Sequence, residues 1–209
     1  MTCKAEGVAA AVRAAAAVVA EHRVELIDLD RAIGDGDHGE NLNRGFAAVV
    51  AALDASAPDT PGGVLKLVAT TLISKVGGAA GPLYGTAFLR ASAKLGTAAD
   101  LDVPALLDAL RAGLEGVQAR GKAVGGDATM VDALIPAVAA AEKAAEDGGD
   151  VAAVLTAAAD AADRGAESTV ELVPRKGRAS YLGERAVGHT DPGARSSALL
   201  LRAFAEAAR

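Results

Sequence analysis

The segment Ile33-Gly-Asp-Gly-Asp-His-Gly39 decides between two fold classes. From Gly34 to Gly39 its letters fit G-x-G-x-x-G, the turn that seats a pyrophosphate between a buried strand and a helix, and that reading calls for alternating strands and helices. Its chemistry opposes this. The dinucleotide turn sets bare backbone amides against phosphate, and Asp35 and Asp37 inside the turn repel the ligand unless cations intervene. The surroundings oppose it too: roughly a quarter of the 209 residues are Ala, the best helix former, and the β-branched residues are scattered instead of gathered in alternating runs. The fold class read from the sequence is all-α.

Working outward, helices are predicted over Lys4–Ala20, His22–Ile33, His38–Leu53, Pro61–Val76, Pro82–Leu95, Val103–Arg120, Thr129–Glu146, Val151–Leu172 and Gly193–Ala208. Pro61, Pro82 and Pro104 stand where a first-turn proline belongs, Asp102 is a plausible N-cap, and Gly121 reads as the glycine that ends a helix. The predicted architecture is a single domain over residues 1–209, a barrel or bundle of about eight antiparallel helices.

The connections are uneven. Ser56 to Gly63 and Gly96 to Asp102 read as plain surface links, whereas glycine is concentrated in Ile33–Gly39, Gly77–Pro82, Gly121–Thr129 and the long stretch Pro174–Gly193. Such backbones are tight or approach something closely. Alternate loops of an antiparallel bundle fall at the same end, so these four can share one rim and form a ligand site there.

Composition removes other classes. A net charge of −6 lacks the basic face that displaces counterions from nucleic acid, and 2% aromatics give no stacking platform for single strands. The longest stretch free of Asp, Glu, Lys and Arg, Val76 to Leu89, is shorter than the ~20 apolar residues of a spanning helix. The lone Cys3 cannot form an internal bridge, and no signal-peptide pattern follows Met1. The expectation is a cytoplasmic protein with no membrane and no nucleic-acid partner.

Several chemical motifs fail in detail. Gly116-Val-Gln-Ala-Arg-Gly-Lys122 approaches a phosphate loop, but Ala123 replaces the hydroxyl residue that ligates magnesium. Asp35-Gly-Asp37 opens like a calcium loop, yet Gly39 and Glu40 break its ligand pattern. Three histidines and one cysteine, widely spaced, do not make a structural zinc site.

What survives is Asp30, Asp35 and Asp37, three carboxylates across a helix end and a glycine turn. Oxygen-only ligands of high negative charge suit a hard cation, and magnesium is preferred where phosphates and waters complete the octahedron. Taken singly, each has an ordinary alternative, with Asp37 capping the helix at His38 and Asp30 on a solvated face. Together they cost stability unless a cation pairs with them. His38 and Asn41 offer donors beside the cluster. The Gly77-Gly78-Ala79-Ala80-Gly81 loop reads either as a backbone cradle for a flat base or phosphate, or as a close helix contact. Arg175-Lys-Gly-Arg178 and Arg185 gather positive charge in an acidic chain, where Arg178 can neutralise a terminal phosphate or a transition-state charge.

Asp30-Arg-Ala-Ile-Gly-Asp-Gly-Asp-His-Gly39 with Asn41 and Arg44-Gly-Phe46 resembles the nucleotide-binding L subunit of dihydroxyacetone kinase. So do Val76–Thr86, Gly126-Asp-Ala-Thr-Met130 and Arg175–Arg185 through His189-Thr-Asp-Pro-Gly193, in family order over essentially the whole chain. The resemblance implies an eight-helix antiparallel barrel with a nucleotide at one rim. Asp30, Asp35 and Asp37 match family ligands that bridge two Mg2+ ions to the phosphates. His38, Gly39, Glu40, Asn41, Gly78, Ala79, Ala80, Gly121, Met130, Arg178, Asp191, Pro192 and Gly193 match nucleotide-binding positions, with Leu83 and Thr129 in the same pocket. Family members often carry Ser where Ala80 stands, so a side-chain contact is lost there and the backbone contact remains.

The resemblance further implies a phosphotransferase that passes phosphate to dihydroxyacetone held on a partner K subunit. In one family branch ADP stays bound as a coenzyme and an M subunit of the phosphotransferase system recharges it; in the other, ATP exchanges at each turnover and the nucleotide domain is fused to a substrate domain. A chain with no room for a substrate domain favours the first. The alternatives are a kinase for another ketose or for a fatty acid, and a regulatory module contacting a transcription factor; a homodimer is compatible with each.

Overall fold

The computed structural model describes residues 3–209. Among them are nine α-helices: α1 (Ala5–Glu21), α2 (Arg23–Ile33), α3 (His38–Ala55), α4 (Pro61–Lys75), α5 (Ala80–Leu95), α6 (Val103–Gly121), α7 (Met130–Glu146), α8 (Val151–Ser168) and α9 (Pro192–Ala207). The starts are written in the sequence. Thr60, Asp102, Asp150 and Asp191 each accept the N–H three residues on, and Thr129 with Asp132 forms a reciprocal capping box. Pro61, Pro104 and Pro192 occupy first-turn positions.

Eight of the helices close a ring. From α3 to α9 each packs on its successor, while α1 packs on both α9 and α3 and completes the circuit. The remaining helix, α2, packs mainly on α3, with α9 and α1 beside it. Two short strands, β1 (Cys3–Lys4) and β2 (Asp100–Leu101), pair antiparallel with Cys3 opposite Leu101. This pair ties the start of α1 to the α5–α6 connection, opposite the rim where the glycine-rich loops meet. The expected barrel of about eight antiparallel helices is therefore correct in class; the ninth predicted helix is α2, at the mouth.

The interior is built from small and branched aliphatic side chains around one aromatic, with Phe46, Leu26, Leu42, Leu53 and Leu72 fully buried. Small residues also set how closely helices approach. A Cβ on Gly165 of α8 would lie 2.4 Å from the Asp132 carbonyl oxygen and 2.9 Å from the Ala133 Cα, so the α7–α8 contact admits only glycine there. No helix among the described residues is long and apolar enough to cross a membrane.

Several local expectations are corrected. Helix α5 begins at Ala80, two residues before the predicted Pro82, because the loop tightens at Gly78 with φ +66°. Gly121 is the last residue of α6, and the left-handed position falls to Lys122, φ +51°. Helix α8 stops at Ser168 and a single 3-10 turn, Thr169–Glu171, follows it. The Gly96–Asp102 link carries β2.

Candidate functional site

The last turn of α2 delivers Asp30, and the following glycine turn folds around it. The Asp30 Oδ2 accepts the backbone N–H groups of Asp37 at 2.8 Å and His38 at 3.1 Å. Gly34 makes room for this, since a Cβ there would lie 2.2 Å from the Asp30 Oδ1. The turn brings Asp35 and Asp37 back to Asp30, so that one carboxylate oxygen from each lies within 4.8 Å of the others. Asp30 is buried, and Asp35 and Asp37 are exposed. Asp37 stands at the N-cap of α3 but its side chain makes no capping bond, so its carboxylate remains available. Three oxygen donors, one anchored from below and two open to solvent, fit a hard divalent cation that keeps waters or phosphates on its outer side.

These carboxylates form one wall of a cavity of about 470 Å³ at the barrel mouth, a size within the usual range for small-ligand sites. Its lining draws on all four glycine-rich loops: Gly78, Ala79, Ala80 and Leu83 from the start of α5; Gly121, Thr129 and Met130 from the α6–α7 connection; and Arg178, Asp191, Pro192 and Gly193 from the last loop. His38 also lines it. The α6–α7 loop is held hard. Asp127 accepts from the Val124 N–H and Asp132 from those of Gly126 and Thr129, while Lys122 and Ala128 both take left-handed backbone conformations unusual for side chains.

Three of the expected residues stand off the lining. Gly39 is pressed against α2, where a Cβ would lie 2.2 Å from the Arg23 carbonyl oxygen. Glu40 points outward and pairs with Arg23 at 2.6 Å. Asn41 is buried behind the Gly77 loop and accepts from Arg44 at 2.6 Å. On the other side of α2, Glu25 receives Arg195 of α9 at 2.6 Å. Burial raises the Glu25 carboxyl, but the hydrogen bonds and charges of Arg195 and His22 outweigh this and leave its pKa below the ordinary value. Ion pairs on both flanks thus seat the helix that carries Asp30.

The last loop is ordered. The Arg175 N–H donates to the Asp127 carbonyl at 3.0 Å and the Asp191 N–H to the Thr169 hydroxyl at 3.0 Å. Two 3-10 turns, Arg178–Tyr181 and Gly183–Ala186, bury Ala179 and Ala186 against Ile33 at the end of α2. Arg178 meets the Asp35 carboxylate at 2.8 Å.

One element of the site escaped the sequence reading. Tyr84 lies 4% exposed in the wall, and its hydroxyl sits 2.6 Å from the Ser196 Oγ, 2.9 Å from the Ser197 Oγ and 3.2 Å from the Gly193 carbonyl. The Ser196 Oγ continues to the His38 Nε2 at 2.9 Å. Burial pushes the Tyr84 phenol up to about 12, against the pull of the two serine hydrogen bonds and with the Asp191 charge adding to it. Burial likewise lowers the His38 pKa, partly offset by the charges of Asp30 and Asp37. Ile33, Pro82, Val117, Arg120, Ala123 and Lys176 also line the cavity; Arg120 and Lys176 had no sequence signal beyond their charge.

Asp191 caps α9 by accepting the Ala194 N–H at 2.7 Å. Burial, with the charges of Asp132 and Asp30, pushes its pKa up to about 7 against the pull of the Ala194 and Gly193 N–H groups. The folded protein holds this proton more readily than the unfolded chain. Ionisation therefore costs stability: the cost is absent below the unfolded value near 4, grows as pH rises and is complete above about 7. Asp191→Asn keeps a capping oxygen and removes the charge. In thermal scans of chelator-treated protein, it is expected to raise Tm at about pH 8 and by a clearly smaller amount at about pH 5.

With this geometry established, the likeness to known proteins is specific. The DAK2 domain family matches residues 32–206. The chain is 46% identical over 184 residues to the ADP-binding subunit DhaL of the PEP-dependent dihydroxyacetone kinase of Escherichia coli K12, covering 88% of each. It is 37% identical over 193 residues to the L-erythrulose 1-kinase of Mycolicibacterium smegmatis, covering 90% of this chain and 33% of that one. The crystal structure of the C. freundii dihydroxyacetone kinase in complex with AMP-PNP and Mg2+ matches with a TM-score of 0.74 at 29% identity, over 99% of this chain and 34% of that one. The same helical barrel, at this identity and over this share of the chain, makes the protein a member of the DAK2 domain family.

Proposed function

We propose that this chain is the nucleotide-binding subunit of a dihydroxyacetone kinase, holding ADP and Mg2+ in the mouth cavity and passing phosphate to dihydroxyacetone on a partner K subunit. The observation that carries this reading is the carboxylate cluster of Asp30, Asp35 and Asp37 in the wall of a cavity lined by four glycine-rich loops. Three carboxylates beside a polyphosphate would repel it, so the wall makes sense as an anion site only with divalent cations between the two. Magnesium, when bound, supplies charge neutralisation at the phosphates.

The rest is the work of this chain's own groups. The N-terminus of α5 borders the cavity with backbone N–H groups that no side chain caps, so they can meet anionic oxygens, whereas the N–H groups that open α3 and α9 are already taken by Asp30 and Asp191. Leu83, Val117, Met130 and Val131 give the cavity an apolar side suited to a base. Arg178, in the wall beside Asp35, supplies a mobile positive charge for the transferred group. No nucleophile is required of this chain, because the acceptor hydroxyl belongs to the ketose. The 46% identity to an ADP-binding subunit, against 37% to the L-erythrulose kinase, supports a resident ADP recharged by an M subunit, in a cytoplasmic setting.

Reconstitution tests this. Mixed with K and M subunits and a phosphoenolpyruvate-driven phosphotransferase system, the chain is expected to support dihydroxyacetone phosphate formation without added ATP. Turnover that needs added ATP contradicts the resident coenzyme. No turnover with either donor, beside an active control containing the Escherichia coli relative, contradicts the kinase reading.

A further inference from the structure

Asp35 serves two partners. It contributes an oxygen to the three-carboxylate cluster, and its Oδ2 also lies 2.8 Å from the Arg178 Nη2. A guanidinium on that carboxylate would stand beside any divalent cation the cluster held, and the two positive charges would repel and divide the same acceptor. We infer that Arg178 and the metal compete for Asp35, so that loading the cation hands the arginine from the carboxylate to the phosphates of the nucleotide. This rests on the cation reading of the cluster given above.

The local structure allows a side-chain swing without opening the loop. The Arg178 side chain is 69% exposed, Asp35 is its one ion-pair partner among the described residues, and Arg178 itself lines the cavity. Its backbone is fixed on either side. Gly177 holds φ +66°, and Ala179 is buried with Ala186 against Ile33. The transition therefore costs one exposed ion pair and little else. Two events become linked: the nucleotide finds Arg178 free only where the cation has displaced it. Lys176 lies in the same wall, and among the described residues it pairs with no carboxylate, so it contributes to the general field but does not occupy a ligand.

The test is a Mn2+ titration, followed by electron paramagnetic resonance, of the full chain freed of nucleotide and metal. Arg178→Gln is expected to bind Mn2+ about three- to fivefold more tightly than wild type, the scale of one exposed ion pair. Lys176→Gln is expected to change affinity by less than about twofold, since its charge occupies none of the three cluster carboxylates, and Arg178→Lys to stay near wild type. In the same preparation with Mg2+ restored, Arg178→Gln binds ADP more weakly. The opposite signs distinguish competition from a supporting role, which would weaken both ligands. Equal or weaker Mn2+ binding by Arg178→Gln overturns the inference, as does equal tightening by Lys176→Gln. Unchanged ADP affinity overturns the transfer to phosphate. Wild-type protein that binds no Mn2+ overturns the cation reading of the cluster itself.

Discussion

Asp30→Asn is expected to leave the reconstituted kinase without measurable turnover, a loss of about a thousandfold or more. The substitution is chosen because Asp30 does two jobs. Its Oδ2 gathers the Asp37 and His38 N–H groups, and its charge faces Asp35 and Asp37 across the cluster. The amide oxygen of Asn can still accept the backbone bonds, so the turn survives while the buried negative charge is lost. Asp30→Ala removes both and should also lower Tm, because two backbone donors are orphaned at about 1 to 3 kcal/mol each. Assaying turnover and Tm on the two variants separates the roles. Asp30→Asn retaining a tenth or more of wild-type turnover contradicts the assignment of the cluster to the reaction.

Phe46→Ala carries the largest expected stability effect, about 3 to 5 kcal/mol. Phe46 is the one fully buried aromatic in an interior of Leu, Val and Ala, so truncation leaves a hole that its small, tightly spaced neighbours cannot close. For a domain of this length that corresponds to a fall in Tm of about 10 °C. Urea denaturation monitored by circular dichroism measures it directly, with Phe46→Leu expected to cost much less. A drop below about 1 kcal/mol for the alanine variant would show that Phe46 is not the centre of the packing.

How much of this was legible in the sequence follows from range. The aspartate cluster could be read because Asp30, Asp35 and Asp37 lie within one helix end and one turn, where geometry is local. The glycine-rich loops could be assigned to one rim because helices alternate direction. The Tyr84 hydroxyl network could not. Tyr84 and Ser196 are separated by 112 positions, and nothing in a single tyrosine or a Ser-Ser pair says that they meet. Periodicity reports which face of a helix is buried but not against what, and so α2 read like any other helix although it lies at the barrel mouth. Fine boundaries failed where glycine was taken as the left-handed residue. At the end of α6 the chain places Lys122 there, one residue after Gly121, which closes the helix tightly against Leu83 with a Cβ position 3.2 Å from its Cδ2. Apart from β2 at the far end, the departures lie around the cavity, where Lys122 and Ala128 hold conformations their side chains disfavour.

The central claim is that the cavity holds a nucleotide as a resident coenzyme beside the three carboxylates. Its most direct test is the nucleotide content of purified protein, denatured after extensive dialysis with magnesium present. The account predicts near-stoichiometric ADP in the wild-type chain and little in Asp30→Asn. A wild-type protein that emerges empty and then binds and exchanges ATP freely would contradict it.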